Sequence, residues 1–188
     1  MDINNAPAFF LYFFKPYSVN KRLGQVYNSY MELIPNDNDW VCFTDRDVMF
    51  LTPDYGHQMV EIISQNPLVG LFTCQTNRIG CKAQLYQETL SEDPNILTHA
   101  QIAKKLQHEH RHEIKQIDAP VSGFLFVIQK KVWKEAQFNA DMNMLGVDWD
   151  FSRRISALGL PIVLMKGIYV FHFYRLNNGS QDVSHLSA

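Results

Sequence analysis

The sequence predicts an α/β protein, a mixed and mostly parallel sheet with helices on both faces, and three observations carry that prediction. Short, continuously apolar runs recur at Phe9–Phe14, Trp40–Thr44 and Leu68–Thr73, the pattern of strands buried on both faces. Between them, apolar residues return every three or four positions, as on helices packed against a sheet. Turn-forming clusters such as Pro35-Asn36-Asp37-Asn38 separate the two kinds of segment. Strands alternating with helices imply crossover connections and therefore parallel neighbours.

Taken in order, Phe9–Phe14 is expected as a central, parallel strand, which Pro16 ends because it has no N–H for a ladder. Ser18 or Asn20 can cap a helix through Leu33, with Leu23, Val26, Tyr30 and Leu33 on one stripe. Trp40–Thr44 is the next strand. Thr52-Pro53-Asp54 opens a helix to about Ser64, with Met59, Ile62 and Ile63 facing inward, and Asn66-Pro67 closes it. Leu68–Thr73 follows as a third strand. Thr98-x-x-Gln101 suggests a capping box for a helix carrying Ile102, Leu106 and Ile114. His99, His108, His110 and His112 crowd this region; the last three do not share a helix face, so the tract reads as solvated surface and not as a metal site. Gly123–Gln129 is a fourth strand, followed by helices over Lys130–Gln137 and Asp148–Leu158, the second stopped by Gly159. Pro161–Met165 and Ile168–Phe173 are the last two strands. They arrive with less helix between them, which makes the sheet mixed. Residues 1–175 read as one domain and 176–188 as a polar, frayed tail.

Composition narrows the function classes. A chain of 188 residues, 46% apolar and 19% charged, suits one folded domain with a real core. Its net charge of −2 gives no general drive toward nucleic acid or acidic lipid. Cys42, Cys74 and Cys81 are odd in number and fit buried thiols better than a disulfide framework. The apolar run near the N-terminus is too short for a signal peptide and lacks a basic leader, and no stretch has the length of a membrane span. A cytoplasmic location follows as the expectation, with peripheral membrane contact left open.

Chemistry concentrates in three places. Trp40–Thr44 ends in Asp45-Arg46-Asp47, where residues i and i+2 of an extended chain project to one side. Two acids at the rim of a core are costly without a cation between them, and Mg²⁺ or Mn²⁺ takes oxygen ligands there and bridges to phosphates. Alone, a D-x-D is most often a solvated loop or a helix cap. The second place is Gly146-Val147-Asp148-Trp149-Asp150, where acids crowd a helix N-terminus, as simple capping also requires. The third is His172 in the apolar run Val170–Tyr174, a position more often held by a core histidine than by a ligand.

In this order, the three resemble the GT-A glycosyltransferases, the nucleotide-sugar-dependent family with a D-x-D motif, in a short form like its family 2. The resemblance spans roughly residues 9–175 and implies a metal site of Asp45, Asp47 and His172 holding Mn²⁺ or Mg²⁺ against the donor diphosphate. It implies Asp148 as the base for the acceptor hydroxyl if the anomeric centre is inverted, and Trp149 as a face for the acceptor, with Asp148 beside it. Donor binding would fall to Asp45, Asn28, Ser122, Gly123 and Arg175, with Asp45 contacting the ribose as an alternative. The implied partners are a nucleotide sugar, a UDP-sugar foremost, and a glycan or other hydroxyl acceptor. Two departures stand out: the D-x-D comes early, leaving a reduced nucleotide-binding half, and Val147 stands where an acid is frequent. Competing readings are a non-catalytic sugar- or nucleotide-binding relic of the fold and a phosphohydrolase using Asp45 as nucleophile.

Overall fold

The computed structural model describes residues 9–142 and 144–176; the expected polar tail lies, from Asn177 onward, outside the described residues. The elements are β1 (Leu11–Phe14), α1 (Leu23–Glu32), β2 (Trp40–Thr44), β3 (Val48–Phe50), α2 (Tyr55–Gln65), β4 (Leu71–Thr76), α3 (Ile96–His110), β5 (Ile114–Gln116), β6 (Leu125–Gln129), α4 (Lys130–Ala136), α5 (Val147–Ala157) and β7 (Ile162–His172). They build one seven-stranded sheet in the order β1-β2-β6-β4-β7-β3, with β5 added to β7.

Alternation along β2 explains its unbroken apolar run. Val41 and Phe43 enter a core shared with α1, α4 and α5, whereas Trp40 and Cys42 enter the core of the opposite face with Met59, Ile62 and Ile63 of α2. Helix α3 lays Ala103 and Leu106 on Tyr169 of β7. The expected α/β class, with helices on both faces, is therefore what the chain forms.

The direction of the strands differs from expectation. Only β1–β2 and β4–β7 run parallel; β2–β6, β4–β6, β3–β7 and β5–β7 are antiparallel. The cause is β6, which enters between β2 and β4 after the long excursion over 77–124 and runs against both. Strand β1 is an edge strand and not a central one. Its side chains are only partly covered, Phe13 being 41% exposed, and neither that nor a hydrogen-bonding edge leaves a trace in side-chain polarity.

Other boundaries shift for local reasons. Asn95, and not Thr98, caps α3 by accepting a hydrogen bond from the Leu97 N–H at 3.0 Å. Ile114 leaves that helix for β5. The two expected last strands are one, with an irregularity where Cys74 pairs Met165 but Gln75 pairs Tyr169. Leu68 is 80% exposed, so the third strand begins only at Leu71. His99 is buried: its Nε2 meets the Asp93 carbonyl at 2.9 Å, so it carries the hydrogen, and Nδ1 accepts from the Tyr169 hydroxyl at 2.6 Å.

Candidate metal centre and adjoining cavity

The apolar residues after the D-x-D form β3, a strand the sequence pattern concealed, and it places the site. β3 lies antiparallel to the end of β7 with Val48 opposite His172, and the Phe173 N–H donates to the Asp47 carbonyl at 3.1 Å. The turn that carries the acids is thus sewn to the strand that carries the histidine. His172 Nε2 stands 3.3 Å from Asp47 Oδ1 and 3.8 Å from Asp45 Oδ2. One donor atom from each of the three residues lies within 4.8 Å of the others.

The histidine is both a core residue and a rim residue. Its ring is 1% exposed, between Phe124 and Tyr174, with centroids 5.5 Å from each. Nδ1 lies 2.9 Å from the Arg78 carbonyl. A carbonyl only accepts, so Nδ1 carries a hydrogen and Nε2 is the nitrogen left to face the carboxylates. Neutral, that nitrogen offers a lone pair to an ion; protonated, it pairs with the acids.

Burial pushes the Asp45 carboxyl up to about 6; the charge of His172 opposes this, and those of Asp47 and Asp148 add to it. Burial also acts to raise Asp47, but the hydrogen bond and charge of His172, its own backbone N–H and Arg46 together hold it below the ordinary value. Two oxygen donors and one imidazole nitrogen, with a net negative excess, are a donor set that fits Mn²⁺, and less closely Mg²⁺.

Asp45 and His172 also line a cavity of about 580 Å³, together with Tyr27, Ser122, Gly123, Asp148 and Trp149. Six expected site residues therefore converge on one hollow. Gly146, at φ +85°, turns the chain into α5 and delivers Asp148 at its first turn. Asp148 Oδ2 accepts from the Gly123 N–H and Oδ1 from the Trp149 N–H, each at 2.9 Å. Burial raises its carboxyl against those two donors. A Cβ at residue 123 would meet Asp148 Cβ at 2.8 Å, so the close approach this glycine permits is that of Asp148.

Three expected residues lie elsewhere. Asp47 turns to a second cavity of about 570 Å³, which it shares with Lys15, Arg46 and the Phe13, Phe50 and Tyr55 rings. Asn28 is outside the lining: its carboxamide donates to the Phe138 carbonyl and accepts from the Phe138 N–H and Trp133 Nε1, which ties α1 to the segment after α4. Arg175 lies over the Tyr174 ring, 4.8 Å from its centroid.

Sequence reasoning missed the segment from Thr76 to Gln84. Asn77 exchanges two hydrogen bonds with the main chain of His172, and the fully buried Gln84 does the same for Ser122, accepting from its N–H at 2.8 Å and donating to its carbonyl at 3.0 Å. The available signal was a polar run, Thr76-Asn77-Arg78, at the carboxyl end of an apolar strand, where open α/β sheets hold ligands. No protein-family model matches this chain, and comparison with curated proteins finds no match.

Proposed function

We propose that this chain is a metal-dependent glycosyltransferase that moves a sugar from a nucleotide-diphosphate sugar to an acceptor hydroxyl. The observation that carries the reading is the convergence of Asp45, Asp47 and His172 beside a cavity that also receives Asp148 and Trp149. Asp45, Asp47 and His172 would hold Mn²⁺ or Mg²⁺, and when bound the ion supplies Lewis acidity toward a leaving diphosphate. Asp148 takes the proton of the acceptor hydroxyl. Its basicity is raised by burial, and its two backbone donors fix the carboxylate plane. Trp149, 48% exposed, offers its ring face at the cavity mouth to an acceptor sugar.

Incubation with a panel of nucleotide sugars, UDP-sugars first, plus Mn²⁺ and measurement of released nucleoside diphosphate tests this. Release from one donor is expected, lost in Asp148→Asn when an acceptor is supplied and lost in wild type with chelator. Absence of release from every donor would favour the non-catalytic relic. Release of inorganic phosphate from phosphomonoesters, abolished in Asp45→Asn, would replace the transferase by the phosphohydrolase.

A further inference from the structure

The end of β7 has two neighbours, and on one side the neighbour runs out. β3 pairs with His172 through Val48, but β4 ends at Thr76, opposite Val170. A ladder that stops two residues short would leave the N–H and carbonyl of His172 unpaired inside the protein. Asn77 supplies what is missing. Its Oδ1 accepts from the His172 N–H at 2.7 Å, and its Nδ2 donates to the His172 carbonyl at 3.1 Å. A carboxamide presents an uncharged N–H donor and a C=O acceptor side by side, as a peptide group does, so one side chain imitates a strand residue. Oδ1 also accepts from Thr76 Oγ1 at 3.1 Å, which holds the amide in that sense.

The next residue acts on the ring. The Arg78 carbonyl takes Nδ1–H of His172, and the Arg78 guanidinium is anchored beyond it, donating from Nε to the Tyr174 carbonyl at 2.9 Å and from Nη1 to the Ser91 carbonyl at 2.7 Å. An ion pair to Glu92 Oε1 at 2.6 Å completes the hold.

We infer that Asn77 is a positioning residue of the metal centre, its carboxamide bracketing the His172 main chain so that the Arg78 carbonyl captures Nδ1 and Nε2 is left to the ion. The inference rests on Asp45, Asp47 and His172 being a metal site and is independent of the reaction performed there. A bracket serving only the strand end would contribute to stability alone; one that positions a ligand also sets metal affinity and tautomer.

The test uses the full chain labelled with ¹⁵N-histidine, the His172 signals being assigned against His172→Gln. Mn²⁺ affinity is read from the electron-spin signal of free Mn²⁺. Wild type is expected to show one neutral His172 tautomer, protonated at Nδ1. Asn77→Ala is expected to mix the tautomers and weaken Mn²⁺ binding by about 10- to 100-fold, as loss of a group orienting a metal ligand does. Should Asn77→Ala fail to fold, Asn77→Ser is read the same way, and Arg78→Met disturbs the anchored carbonyl from its other side. A folded Asn77 variant with the wild-type tautomer and wild-type Mn²⁺ affinity overturns the bracket. Wild-type protein that binds no Mn²⁺ overturns the metal reading beneath it, and the two failures are thereby told apart.

Discussion

Among the described residues, two clusters of histidine and carboxylate differ in how their charges are paired. At the end of β7, His172 is buried and faces two acids for which, among the described residues, no ion pair to a lysine or arginine is formed. Around the C-terminus of α3, His112 pairs with Glu61 at 2.8 Å, Arg111 bridges Glu61 and Asp54, and Glu113 is shared by His110 and Lys166. Every carboxylate of the second cluster has cationic partners, and those of Glu61, Asp54 and Glu113 are held below their ordinary values, by their hydrogen bonds to His112, Gln107 and Lys166 respectively before all else. At the first cluster Asp47 is likewise held low, against its burial, by His172 and Arg46, but Asp45 is pushed the other way. Composition alone does not separate the two. What separates them is whether the fold pairs the charges or leaves an excess of acid.

The largest expected difference is in metal binding. On the proposed metal site, Asp47→Asn should weaken Mn²⁺ by about a hundredfold or more, since it would remove a ligand and not merely its support, whereas Glu61→Gln should leave the affinity unchanged; titration calorimetry on both decides it. Equal losses in the two variants would erase the contrast.

Next in size is the pH dependence of metal-free stability. A carboxyl raised on folding holds its proton more tightly folded than unfolded, so Asp45 removes stability as pH climbs from 3.8 toward about 6. Glu61, lowered on folding, contributes stability that is present above 4.5 and lost as pH falls through its folded value, a slope of the opposite sign. Asp45 leaves 45% of its side-chain surface open, so screening trims the effect, and Asp45→Asn should gain about 1 kcal/mol at neutral pH without metal. Denaturant melts at pH 4 and pH 7 would show that gain shrinking on acidification. A gain that is the same at both values would remove burial as its cause.

The smallest effect is that of His112→Ala, expected to cost under about 0.5 kcal/mol, as exposed pairs do. A larger loss by chemical denaturation would mean that the α3 cluster is a cooperative network and not a solvated surface.

How much of this was legible varied with the kind of information required. Asp45 and Asp47 could be singled out at the end of an apolar run, His172 inside one, and Asp148 and Trp149 at a glycine-marked helix start, whereas Ser122 and Gly123 were expected only from the resemblance to a family. The approach of His172 to Asp45 and Asp47 could not be computed from spacing, because it depends on β3, whose three residues carry no alternation to recognise. Asn28 was a reasonable candidate by type, yet its carboxamide is spent on Phe138. The same chemistry recurs at Asn77 and Gln84, so a buried amide in this fold is first a substitute for backbone. Strand order was hidden for a related reason: side-chain polarity reports which faces are covered, and β6 pairs antiparallel to both neighbours with a fully buried run.

The register between β3 and β7 has a further consequence, for the order in which the protein is made. Because Val48 lies opposite His172, a slip of one residue would carry the imidazole to the other face of the sheet. Synthesis delivers Asp45 and Asp47 first and His172 roughly 125 residues later, and domains emerge from their N-terminal side. For most of that interval a nascent chain holds the two acids without His172. The three side chains are therefore brought together last, when β7 docks between β4 and β3, and their cluster comes into being only with the finished sheet.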